Sequence, residues 1–266
     1  AEFAHDYLPT RGGTPVFVVP GNHDLSNAIG YPRPLTPARD ATAAAAIFAL
    51  MMRPARPVVP ATFDATTQRV RTSRDIGGVH LQFLPIWPDS TTRAWMAEDL
   101  ARVPAGRPTL VVVHDPPEGV ARHFRNPNPP GDINATDRFE NVLDDTFADG
   151  STTDGPATRE AAAFEQFLAG HPGIRGYFHG HENWNQFYDF RGPSGTVALP
   201  AFRVDSPMKG VASGSDQRQL SFQVVTIDTR TGRMTVRECL WNAEDADGTA
   251  VRWGASRTVS MRQESA

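Results

Sequence analysis

The 266-residue chain has a single cysteine, Cys239, so it can form no internal disulfide. In the strand-like text TVRECLW that thiol reads as a buried structural group rather than a nucleophile. No apolar run reaches the roughly 20 residues a membrane-spanning helix requires; the longest candidate is the alanine-rich stretch from Ala41 to Met52. Clusters of Lys or Arg are also missing, and a formal charge of -4 with a pI near 6.1 offers no attraction for nucleic acid or an anionic membrane. There is no Gly-x-Ser-x-Gly elbow, which removes the serine-hydrolase reading. Small molecules are the ligands left in view. A hydrophobic content of 39% is enough for an ordinary globular core.

What the chain does have is an alternation of strands and helices. AEFAHDYLPTRGG reads as the tail of a helix stopped by Gly12-Gly13, followed by a buried strand at Val16 to Val19. Thr36-Pro37 is a cap and first-turn pair for a helix running through ARDATAAAAIFALMM. Strand VHLQFLPI, helix TTRAWMAEDLA and strand TLVVVHD come next, and a Pro- and Asn-rich loop after Glu118 includes Gly131-Asp132. Helix PATREAAAFEQFLAG feeds strand IRGYFHG, and the remainder is mostly strands: WNQFYDF, TVALPAF, LSFQVVTID and MTVRECLW. This order predicts an α/β protein, two packed sheets with helices outside, in one domain over 1–266.

Three of these apolar strands end in side chains that ligate metals. VFVVPGNHDLSN delivers Asn22, His23 and Asp24; TLVVVHDPP delivers His114; IRGYFHGHEN delivers His179, His181 and Glu182. The carboxyl ends of strands in an open α/β sheet are where ligands bind, and imidazoles with a carboxamide converging there suit a borderline transition metal. Asn22 and Asp24 can equally cap a turn. Asp115, beside His114, can orient an imidazole or simply shape the HDPP turn. His123, Phe124, Asn126 and Asn128 belong to the loop, as a solvated segment or as a wall of the site. Arg203 and Lys209 in FRVDSPMKG can grip a phosphate ester, with a pairing of Arg203 and Asp205 as the structural alternative. His5 and His80 read as ordinary histidines, and His171 as a cap for helix-end carbonyls.

Gly21-Asn22-His23-Asp24, the lone His114 and the Gly180-to-Asn183 box together resemble, in order and spacing, the calcineurin-like metallophosphoesterases. The resemblance covers Val16 to about Asn185 and three of five family blocks; Asp-x-His and Gly-Asp-x-x-Asp are absent. It implies a four-layer α/β/β/α sandwich lacking its N-terminal portion, which hydrolyses phosphate mono- or diesters at a site for divalent Mn, Zn or Fe. The family site normally holds two ions, and a single ion is the alternative for this chain. Asn22, His114, His181 and Asn183 fall at metal-ligand positions, with Asn183 standing where the family has a histidine. His23 falls at the position that touches the phosphate or protonates the leaving oxygen, and Asp24 at the one that orients His23. The alternative is a catalytically impaired remnant or binding domain of the same fold that needs a missing N-terminal segment. A small phosphate ester is the expected partner, with no nucleic acid or membrane, and self-association or a separate N-terminal fragment is expected to cover apolar sheet edges.

Overall fold

The computed structural model describes residues 14–25, 42–64, 67–124, 158–206, 210–243 and 251–262; the side chains of His23, Leu25, Thr42, Ala121 and Arg122 are not included. In chain order the elements are α1 (Asn22–Leu25), α2 (Thr42–Met52), β1 (Thr72–Ile76), β2 (Val79–Phe83), α3 (Ser90–Leu100), β3 (Thr109–Val112), α4 (Thr158–Gly170), β4 (Ile174–His179), β5 (Gln186–Phe190), β6 (Leu199–Arg203), β7 (Ser221–Asp228), β8 (Arg233–Leu240) and β9 (Arg252–Ser260).

The protein is mixed α/β. One sheet has the order β1-β2-β3-β4-β6-β5 and a second the order β7-β8-β9. Strands β2, β3, β4 and β6 run parallel, so their carboxyl ends gather at one end of the sheet, while β1 and β5 are antiparallel edges. Because side chains alternate along a strand, each face has its own core. Val111, Val113 and Tyr177 meet Met96 of α3 and Phe164 and Leu168 of α4 on one face. On the other, Val79, Leu110 and Phe202 meet Met234 and Val236 of β8. Beside the second sheet, Ile47 and Met51 of α2 cover Phe83.

Helix α4 follows from its sequence: Ala161, Phe164, Glu165 and Leu168 recur at helical spacing and are its buried stripe. Helix α3 starts at Asp89, whose carboxylate accepts the Thr92 N–H at 2.9 Å and also receives Arg69 at 2.7 Å. Cys239 is buried within β8, as its strand context implied. His171 places Nδ1 2.7 Å from the Phe167 carbonyl at the end of α4, the expected cap.

Two expectations need correction. Val16 to Val19 is not a strand. It pairs with no ladder among the described residues; instead Phe17 stacks on Phe83 at 4.7 Å and the Val18 N–H points at Met51 Sδ, 3.3 Å away. Apolar burial alone satisfies the side chains there. Strands β1 and β9 were not expected, because TSRDI and RWGASRTVS are edge strands with largely exposed side chains and lack an apolar period. The Thr36-Pro37 helix start and the opening helix before Gly12 lie outside the described residues.

Candidate metal centre

Strands β3 and β4 are neighbours, and their pairing carries on past the assigned ends. The Val113 N–H donates to the Phe178 carbonyl and the Gly180 N–H to the His114 carbonyl, each at 3.0 Å. His181 is thereby set beside His114, with Nδ1 3.3 Å from His114 Nε2. His181 has φ +67°, the left-handed region that costs a side-chain-bearing residue about 1–3 kcal/mol. The turn after β4 accepts that strain where it aims the imidazole.

Asn22 arrives from the other side. Its Oδ1 lies 2.9 Å from His114 Nε2 although the two residues are 92 positions apart. Its Nδ2 is buried with no hydrogen-bond partner among the described residues, so the carboxamide oxygen is the end committed to the cluster. Gly21 makes the approach feasible: a Cβ there would sit 2.9 Å from His114 Cε1. The Asp24 carboxylate accepts the Gly21 N–H at 2.8 Å and so secures the turn that presents Asn22. Burial holds Asp24 above the usual carboxylate range, against the opposing effect of that N–H.

A carboxylate completes the group. Asp115 is fully buried, with Oδ1 4.0 Å from His114 Nε2 and 3.9 Å from His181 Nδ1. Its Oδ2 is 2.5 Å from Nδ1 of His123, also fully buried, whose ring meets that of His181 edge-on at 5.1 Å. His114, Asp115 and His181 form a group able to hold a metal ion. Bonds of about 2.0–2.1 Å place neighbouring ligand atoms of one ion about 3.0–3.4 Å apart. The contacts of 2.9 and 3.3 Å bring the neutral donors within hydrogen-bond distance of His114 and close to that spacing. Asp115 Oδ1 stands beyond that spacing, where its charge offsets a cation without closing the shell.

The remaining candidates spread outward. The Asn183 side chain is half-buried, and the backbone carbonyl of this residue accepts the Val211 N–H at 2.6 Å. Arg203 pairs with Glu182 at 2.8 Å, not with Asp205. It also donates to Gln186 Oε1 at 2.6 Å and lies over Trp184 at 4.5 Å. In register with Arg203, His179 is pushed down to about 3 by burial and then by the Arg203 charge, so its imidazole is neutral. Its Nε2 lies 3.1 Å from the Tyr188 hydroxyl, which reaches Glu118 at 3.1 Å; burial raises Glu118 above its ordinary range. The His23 side chain, Lys209, Asn126, Asn128, Gly131 and Asp132 lie outside the described residues. Sequence reading gave Asp115 and His123 less weight than their positions warrant; the adjacency of Asp115 to His114 was the available signal.

The sequence matches no protein-family model and no curated protein.

Proposed function

We propose that this chain is a metal-dependent phosphoesterase with the four-layer α/β/β/α sandwich of the calcineurin-like enzymes. The observation that carries this reading is the meeting of Asn22 Oδ1, His114 Nε2 and His181 Nδ1 within 2.9 and 3.3 Å steps, beside a buried carboxylate, at the carboxyl ends of parallel strands. Asn22, His114 and His181 hold a divalent Mn, Zn or Fe ion, Asp115 supplies the negative charge, and Asn183 is a weak ligand at the margin. When bound, such an ion polarises a phosphoryl oxygen and lowers the pKa of bound water. His23 follows Asn22 on the same turn and is the proposed proton donor to the leaving oxygen, with Asp24 fixing that turn. Arg203 and Lys209 are the proposed contacts to the ester.

A second reading has its own support. A two-metal site needs a bridging carboxylate, and the one carboxylate in this group also binds His123. That favours a single ion and a binding domain or catalytically impaired form whose full activity draws carboxylates from elsewhere.

The test is turnover of nitrophenyl phosphate mono- and diesters with added manganese or zinc. The expected result is metal-dependent turnover abolished by His181→Ala; no turnover with any metal favours the second reading.

A further inference from the structure

At the carboxyl ends of β3, β4 and β6, residues 113–118, 179–185 and 202–206 hold one Lys or Arg, Arg203, against four carboxylates, Asp115, Glu118, Glu182 and Asp205. Arg203 lies one strand from the centre. It is in register with His179, two residues before His181, and neighbouring strands are about 5 Å apart. How its guanidinium is engaged therefore decides how much positive charge an ester meets there.

That guanidinium is already matched. Nη2 lies 2.8 Å from Oε2 of Glu182, the residue that follows His181, and Nη1 donates to Gln186 Oε1 at 2.6 Å. Nε is buried with no acceptor among the described residues, and the Trp184 and Tyr188 rings stand 4.5 and 5.5 Å from the guanidinium carbon. The pair is unequal: the Arg203 side chain is 7% exposed and the Glu182 side chain 39%, so a carboxylate facing water neutralises a buried cation. A phosphate diester carries one negative charge, whereas a monoester carries two above its second pKa of about 6. Beside a bound divalent ion the first charge has its counterion. The second would look to Arg203, where Glu182 holds the positive charge and repels the added negative one. The remaining N–H groups of the fork can still donate a hydrogen bond to an ester oxygen, which serves a diester as well as a monoester.

We propose that Glu182 is the specificity-determining residue of the centre, keeping Arg203 neutralised so that monoanionic phosphate diesters are preferred to dianionic monoesters. The inference rests on the phosphoester reading and narrows it to diesters.

The experiment compares turnover of nitrophenyl phosphate with that of its methyl diester in the manganese-loaded protein at about pH 8, where the monoester is a dianion. Separately, phenylphosphonate, a dianion, and its monoanionic methyl ester are titrated calorimetrically into the same protein. The expected result is a higher kcat/KM for the diester in the unaltered protein. Glu182→Gln should move the monoester-to-diester ratio toward the monoester by about tenfold, the order given by one unit charge about 10 Å away at an effective dielectric constant of about 20. The ratio of the two phosphonate affinities should move by the same factor. Glu182→Ala, a second variant without the charge, should repeat the shift if Glu182→Gln does not fold, and Glu182→Asp, which keeps the charge, should retain the parent preference. A monoester preference in the unaltered protein, or ratios that removing the charge leaves unchanged, overturns the inference and leaves the phosphoester reading intact. Turnover of neither ester with the phosphonate ratio shifted keeps the control of anion charge by Glu182 and overturns the phosphoester reading; turnover of neither with no phosphonate shift overturns both.

Discussion

At the scale of single residues, the centre depends on close contacts that leave little tolerance. Gly21 touches the His114 ring, so Gly21→Ala has to displace an imidazole that meets both Asn22 and His181. We expect metal affinity to fall about 10- to 100-fold, the range found when groups supporting a ligand are disturbed. Competition with a chromophoric chelator measures it, and unchanged affinity contradicts the packing argument. His123→Asn should act in the same direction through Asp115, whose carboxylate it steadies from the buried side. The residue types were legible in the sequence, since Asn22, His114 and His181 each stand just past an apolar run. The left-handed backbone at His181 and the burial of His123 were not, because both arise from contacts between segments distant along the chain.

At the scale of elements, the far end of the sheet has its own polar anchor. His80 on β2 contacts Asp75 of the β1 strand and Asp99 of α3, each at 2.8 Å, and Asp99 also receives Gln82 and Ser73. Breaking a buried pair by removing one partner costs about 3–5 kcal/mol. Asp99→Ala should lower stability on that scale, seen as a shift in the urea midpoint; a change below about 1 kcal/mol would show the cluster to be dispensable. Acid should act through the same groups. The His80 hydrogen bond lowers Asp75. Burial alone would raise Asp99, but hydrogen bonds from Gln82, His80 and Ser73 outweigh it. Glu165 of α4 is lowered to about 2, first by the Ser194 N–H and hydroxyl and then by Thr196.

Carboxylates depressed in the folded state contribute stability above their unfolded pKa of about 4, and that contribution is lost as pH falls. The urea midpoint should therefore drop between about pH 4 and pH 2, and drop less steeply in Glu165→Gln. A parallel pH dependence in wild type and variant would contradict the assignment to Glu165. The elements themselves read well from sequence wherever apolar period or burial fixed them, as in α4 and β2 to β8. The β1 strand shows where that fails: its polar residues carry no period, and the hairpin is specified by Gly77-Gly78, both at positive φ, as a two-residue loop demands.

At the scale of the whole molecule, the second sheet has three strands among the described residues, with β7 and β9 at its edges there and Phe222 and Trp253 exposed on it. Open strand edges favour pairing with another copy, so self-association remains our expectation; a clean monomer by sedimentation at all concentrations would remove it. The centre joins segments from three parts of the chain, so a bound ion should also stabilise the fold by mass action, raising the melting temperature in proportion to the logarithm of its concentration. The central claim is that Asn22, His114 and His181 surround one cation. Its most direct test is the metal content of protein purified without chelator, alongside His114→Ala and His181→Ala. The account predicts about one transition-metal ion per chain in the unaltered protein and a loss of at least about tenfold in affinity in either variant. Metal-free protein that takes up no manganese, zinc or iron, or variants that bind as well as the parent, would contradict it.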